Sequence, residues 1–328
     1  MSMTTRVGIE KEYTFVAQCL TDNELTFVLA SRDFFTLYRK FIYVGCKKSN
    51  ILTALLDKGW KVEPEYSHAI IEIISPPKTI AQLDELVTEL KLMESILVYL
   101  VNQLAVSFQL PSLTLSDSYS AAFGRFMDLG SNRVCNLHEI LLDPQDANKA
   151  LLITQKFSPP FPCQTINFHD VALRFAGFTS LNITLSHSHW FLTKNRDFND
   201  LFYHNFLDFL RKSVNFYTYS NGNRGRNSCR NDILNWIDLH GRWLIEYVLA
   251  NSASAAAGKK AVVHLFGAPP YEDDVRFKSN YLYAARPRIY NNAPLIEFRC
   301  FDSAYSPDEI ICCIKQCYTS AAPLAFNS

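Results

Sequence analysis

Residues 7–17 alternate strictly. Ile9, Lys11, Tyr13 and Phe15 share one side, while Gly8, Glu10, Glu12 and Thr14 share the other, which is the two-residue period of a half-buried strand. A second strand is predicted over residues 65–74, stopping at Ser75-Pro76-Pro77, because proline cannot donate to a ladder and restricts the residue before it. Thr79 reads as an N-cap. Ile80, Leu83, Leu86, Val87, Leu90, Met93, Leu97 and Leu100 then recur at helical spacing and predict a long amphipathic helix ending near residue 104. Alternation returns over residues 178–191, with Ser180, Asn182, Thr184 and Ser186 opposite Leu181, Ile183 and Leu185. Residues 198–217 and 232–250 carry helical periodicity, residues 261–266 read as a short strand, and residues 295–301 as the last strand. Ser306 and Pro307 open a closing helix whose first turn holds Asp308 and Glu309, where carboxylates meet the positive end of the helix dipole.

Alternating strands joined by long helical excursions predict an α+β fold, with a mostly antiparallel sheet forming a cleft and helices covering it. No internal repeat or interdomain linker stands out, so residues 1–328 read as a single domain with helical insertions over approximately 106–176 and 195–260. Between the two predicted helices of the second insertion, residues 219–230 form a polar loop carrying Arg224, Arg226 and Arg230. Gly222 and Gly225 would let that loop close as a phosphate clamp, and a solvated surface loop is the alternative.

Composition narrows the classes of partner. Apolar residues make up 48% of the chain and charged residues 20%, which suits a globular protein with a large core. Lys plus Arg balance Asp plus Glu at 32 each, so no net field recruits nucleic acid or an anionic membrane, and a small-molecule partner is expected. Nine cysteines include no CxxC pair, which argues against structural zinc and a disulfide framework and for reduced thiols in a cytoplasmic protein. Cys312 and Cys313 fall in an apolar helix and are expected in the core. Residues 1–7 do not read as a secretion signal. The longest clean apolar run, residues 96–101, is far shorter than the roughly 20 residues of a bilayer span.

Candidate chemistry lies in acidic residues set inside apolar strands: Glu10 and Glu12 in VGIEKEYTF, Glu72 in AIIEIISPP and Glu297 in PLIEFRCFDS. A carboxylate taken out of water there is costly unless it is paired or metal-bound. Any one of them reads equally well as a glutamate on a solvent-facing strand. Together they ask for a common cation, and hard oxygen donors select magnesium or manganese over zinc.

The order of these motifs resembles that of the glutamate-cysteine ligases and the wider carboxylate-amine ligase superfamily, which has a glutamine-synthetase-like fold. Gly8-Ile-Glu-Lys-Glu-Tyr13 is similar to the family's first strand, G-x-E-x-E, whose glutamates bind magnesium. Glu65-Tyr-Ser-His-Ala-Ile-Ile-Glu72 resembles its acidic strand, in which two acids stand seven residues apart, and this carries Glu65 and Glu72 over as metal ligands. Tyr283-Ala-Ala-Arg-Pro-Arg288 and Leu295-Ile-Glu-Phe-Arg-Cys-Phe-Asp302 resemble the family's R-P-K-R segment and I-E-x-R-x-x-D strand. By that likeness Glu297 is a metal ligand, while Arg299 and Arg286 hold substrate carboxylate or phosphate. Residues 176–185 look like the family strand G-V-H-Y-N-F-S-L, except that Ser180 stands at the metal-binding histidine. His187 and His189 follow on the same strand, as replacements for that ligand or as hydrogen-bonded strand residues. His68 stands where relatives often carry an acid.

What the resemblance implies is an ATP- and Mg2+-dependent ligase, with Mn2+ as an alternative metal. Such an enzyme activates a carboxylate, in the first instance the γ-carboxyl of glutamate, as an acyl phosphate and passes it to an amine, cysteine or another. Two anions must then meet in line, so glutamates hold the metals while Arg286, Arg299, Arg224 and Arg226 hold phosphate and substrate oxygens. Two alternatives stand beside it: a guanidino kinase-like phosphotransferase, and a non-catalytic descendant that binds nucleotide or a protein through the old cleft.

Overall fold

The computed structural model describes residues 5–18, 25–65, 68–110, 112–117, 126–129, 179–186, 285–290, 293–303 and 305–321. They form an α+β fold around one mixed, mostly antiparallel sheet. β1 (Arg6–Gln18) runs through its middle, longer than the predicted strand by a residue at each end and with the predicted faces. Along the main path β3 (Lys61–Pro64), β4 (Ile70–Ile74), β1, β8 (Ser180–Ser186), β10 (Ala293–Asp302) and β9 (Ala285–Tyr290) are neighbours in that order, every pair antiparallel. β2 (Leu25–Leu29), β5 (Lys78–Thr79) and β6 (Thr114–Ser116) also pair with β1, and β7 (Phe126–Asp128) lies parallel to β2.

One expected element is different. Residues 65–74 are not a single strand, because Glu65 follows β3 and its N–H donates to the Ile70 carbonyl at 3.3 Å, so β3 and β4 form an antiparallel pair around a turn. Seven residues along one strand would put Glu65 and Glu72 on opposite faces, whereas across this pair both fall on the same one. The described part of the expected insertion at 106–176 is the end of a helix and the strands β6 and β7. Residues 187–191, and the expected helices at 198–217 and 232–250, loop at 219–230 and strand at 261–266, lie outside the described residues.

Helices cover one face. α1 (Ser31–Phe41), α2 (Lys47–Asp57), α3 (Leu83–Ser107) and α4 (Pro307–Ala321) pack with the core drawn from Ile9, Phe15, Ile71, Leu97, Leu181 and Phe298. α3 begins as expected, since Thr79 and Gln82 form a capping box, but a 3-10 turn at Ile80–Gln82 precedes the α-helix. The stretch Ile80–Ser107 is long and apolar enough by length and composition to cross a membrane, yet Leu86, Leu90, Met93 and Leu97 are buried in the core. Ser306 and Glu309 cap α4 reciprocally. In α4 Cys313 and Cys317, four residues apart, are buried on one side with Ile310 and Ile314, while Cys312, turned about 100° from Cys313, falls outside that stripe and is exposed, contrary to the expected core position.

Gly59 (φ +97°) ends α2 with its N–H on the Leu56 carbonyl, and Trp60 N–H reaches Leu55. That turn delivers Trp60 into the core, where its Nε1–H donates to Glu89 Oε2 at 2.8 Å. Lys78 and Lys58 complete the shell of the buried Glu89. Burial alone would raise its pKa, but hydrogen bonds from Lys58, Trp60 and Lys78 outweigh it and hold the carboxyl at about 2. A depressed carboxyl stabilises the fold above its ordinary pKa and loses that contribution as pH falls through the folded value. Glu89→Gln is expected to cost about 1–3 kcal/mol at neutral pH. In parallel urea titrations, the gap from wild type should close as pH falls from 4.5 toward 2.

Candidate functional site

The sheet face opposite the helices gathers the acidic residues. Glu12 pairs with Glu72, and Glu72 with Glu63; Glu10 pairs with Asn182; Gly8, Thr184, Glu297 and Arg286 form a row from β1 across β8 and β10 to β9. Directly paired residues of an antiparallel sheet share a face, so Glu10, Glu12, Glu72 and Glu297 lie on one surface of the sheet. Glu65, opposite Ile70, belongs to the same face at the β3 end. Glu297 is fully buried and Glu12 is 5% exposed, while Glu10, Glu65 and Glu72 are half-buried.

The set is a surface and not a single point. Strand spacing of about 4.8 Å puts roughly 19 Å between the strands that carry Glu65 and Glu297, too far for one ion. Among the described residues, no three His, Cys, Asp or Glu side chains stand close enough together to hold a metal. Glu12 is engaged by Ser180, whose N–H donates to Oε2 at 2.7 Å and whose hydroxyl donates to Oε1 at 2.8 Å. Asn182 Nδ2 donates to Glu10 Oε2 at 3.2 Å, which fixes the amide and leaves Oδ1, a buried acceptor, with no hydrogen-bond partner. Carboxylates and an orphaned carbonyl oxygen on one face make an acceptor-rich surface suited to cations.

Arg286 is the register partner of Glu297. Arg299 falls inside a register shift between Phe298, opposite Ile183, and Phe301, opposite Leu181. Both phenylalanines are buried with the core, so plain alternation does not carry the face of Glu297 on to Arg299. Beyond the bulge Asp302 lies opposite Ser180, a position next to Glu12 that the sequence motif contained without assigning it a role. Arg224, Arg226, Arg230, His187 and His189 lie outside the described residues.

The reverse of β1 carries a residue whose importance the pattern hid. Lys11 sits between Glu10 and Glu12 but on the helix side, 1% exposed, and its Nζ donates to Glu94 Oε1 at 3.0 Å, Asp117 Oδ2 at 2.9 Å and the Tyr305 carbonyl at 3.1 Å. The Tyr13 hydroxyl shares Glu94, and burial, followed by the Glu94 charge, pushes the phenol well above its ordinary pKa. Ser303 adds a hydroxyl bond to the Glu12 carbonyl at 2.7 Å. The backbone bearing the two glutamates is therefore clamped from α3, from the end of β6 and from the turn before α4.

No protein-family model matches the chain, and no curated protein matches it.

Lys11→Met would leave Glu94 and Asp117 without their cation. Both keep some contact with water, so the expected loss is about 3 kcal/mol, the low end for a broken buried pair, measured by urea unfolding. Adding Glu94→Gln and Asp117→Asn should recover most of it. Ser180→Ala removes the hydroxyl bond to Glu12 but keeps the backbone one, and a thermal melt should show a loss of about 1.5–3 kcal/mol, the range for a hydrogen bond to a charged group.

Proposed function

We propose that the chain is an ATP- and Mg2+-dependent carboxylate-amine ligase on a glutamine-synthetase-like sheet, joining the γ-carboxyl of glutamate to an amine such as cysteine. The observation that supports it is the register placing Glu10, Glu12, Glu72 and Glu297 on one face of the sheet, with Arg286 beside Glu297. Their donors are all oxygen, two of the carboxylates are deeply buried, and Asn182 Oδ1 adds an acceptor in need of a partner; magnesium takes such carboxylates one or two at a time beside water and phosphate oxygens.

In this reading Glu10, Glu12, Glu65, Glu72 and Glu297 hold magnesium, which when bound neutralises the phosphate oxygens of ATP. Arg286 and Arg299 would orient the γ-phosphoryl group and the substrate carboxylate, whose oxygen takes that group with release of ADP; the amine then attacks the acyl carbon and displaces inorganic phosphate, losing a proton. Burial of Glu297 excludes water from its surroundings, which strengthens every charge interaction there. Manganese suits the same donors.

A second reading draws on Ser180. It occupies both oxygens of Glu12 at the position where the resembled family carries a metal-binding histidine, which favours a descendant that binds nucleotide without turning it over. A guanidino kinase-like activity would instead release ADP with a guanidine and no carboxylate.

The test is ATP consumption with glutamate or aspartate and hydroxylamine as the trapping amine. Acid-dependent hydroxamate is expected from the wild type, with a loss of at least about 100-fold in Glu297→Gln, the scale for removing a group that stabilises transition-state charge. Circular dichroism of the variant confirms that it folds. Magnesium-dependent ATP binding without hydroxamate from any carboxylic acid would replace the ligase by the binding descendant.

A further inference from the structure

Three buried side-chain atoms among the described residues have no hydrogen-bond partner: Ser31 Oγ, His68 Nδ1 and Asn182 Oδ1. Two of them belong to residues joined by a backbone hydrogen bond at the start of α1. Ser31, 1% exposed, is the helix's first residue, and its N–H donates to the His68 carbonyl at 2.9 Å. His68 is 6% exposed, and its Nε2 lies 3.2 Å from Arg32 Nη2, so the ring is held across the first turn by its backbone and by its side chain.

Chemistry fixes the proton. A guanidinium has no acceptor, so Arg32 donates at this contact and Nε2 accepts, which leaves the ring proton on Nδ1. Burial, followed by the Arg32 charge, lowers the imidazole pKa and keeps it neutral. The unpaired groups are thus an N–H and a hydroxyl. They lie at the positive end of an 11-residue helix whose N-cap, Ala30, has no side-chain oxygen, and a permanent cation stands beside them. Asp33, the acid of this first turn, is two positions from Ser31 and so does not share its side of the helix. The cluster has donors and positive charge and, in Ser31, His68 and Arg32, no anionic group.

We propose that the start of α1 is a binding site for a small oxyanion, a carboxylate or a phosphate, held by His68 Nδ1–H, the Ser31 hydroxyl and the Arg32 guanidinium. The exposed Arg32 is the way in, and the two buried donors select for an oxygen ligand that presents more than one lone pair. This site is independent of the acidic face and of the ligase reading. Its competitor is a single trapped water, which would satisfy the same two atoms without any preference for charge.

The experiment uses the full chain labelled with 15N-histidine, with the His68 ring resonances assigned by their loss in His68→Gln. Sodium phosphate, sodium acetate and sodium chloride are titrated at constant pH and ionic strength. A saturable shift of the His68 Nδ1 resonance is expected with phosphate or acetate and not with chloride, weakened at least tenfold in Arg32→Gln and several-fold in Ser31→Ala. Saturation at lower phosphate than acetate identifies a phosphate ligand, and the reverse order a carboxylate. The assigned ring signal and a thermal melt report whether each variant is folded. No shift with either oxyanion, an equal shift with chloride, or a shift unchanged in Arg32→Gln would overturn the site and leave a buried water as the occupant.

Discussion

The register of β1 against β4 and β8 is the constraint on which the rest depends. Side chains alternate with period two, so a slip of one residue would send Glu10 and Glu12 into the helices and Ile9, Tyr13 and Phe15 onto the acidic face. Hydrophobic burial resists that slip, and Lys11 resists it further. Its ammonium is tolerated in the core because Glu94, Asp117 and the Tyr305 carbonyl meet it there. Moved to the other face, it would abandon all three. A lysine that looks misplaced in the sequence is thus a register pin for the two glutamates beside it.

Much of this was legible because it is local. β1 alternates over more than two turns of the pleat, Thr79 and Ser306 announce their helices through capping chemistry, and α3 repeats its apolar residues for seven turns. What escaped is long-range or irregular. The β3–β4 turn contains no glycine, so residues 65–74 read as one strand, and the pairing of Glu65 with Ile70 emerges only once the chain reverses. The bulge around Arg299 leaves the same mark in sequence as an ordinary strand, because Phe298 and Phe301 reveal their common face only against β8. α1, α2, β2 and the partners of Lys11 went unread, since none shows in the spacing around it.

The candidate site was legible to the same degree. Acids inside apolar strands drew attention to residues that the register sets on one face, since burying a carboxylate requires a reason. Spacing alone did not reveal how they are spread. The span from Glu65 to Glu297 turns an imagined cluster into an acceptor-lined surface, and Ser180 turns Glu12 from an open carboxylate into one already bonded at both oxygens. A side chain that replaces an expected histidine has taken over the orientation of its neighbour. The acidic pattern therefore speaks to cation affinity more directly than to the number or position of ions.

Sign is the property that separates the two polar regions. The sheet face collects acceptors, while the start of α1 collects donors, and β4 runs between them, with His68 two residues before its first position and Glu72 at its third. An anion approaching the acidic face unaccompanied is repelled by it, but the same anion is drawn to Arg32 and to the helix dipole. The two regions of opposite polarity lie along β4 and in the turn before it, and β4 is held in place by pairing on both edges with β3 and β1. The separation is therefore a property of the fold, and whatever binds at either end meets a charge already fixed in place.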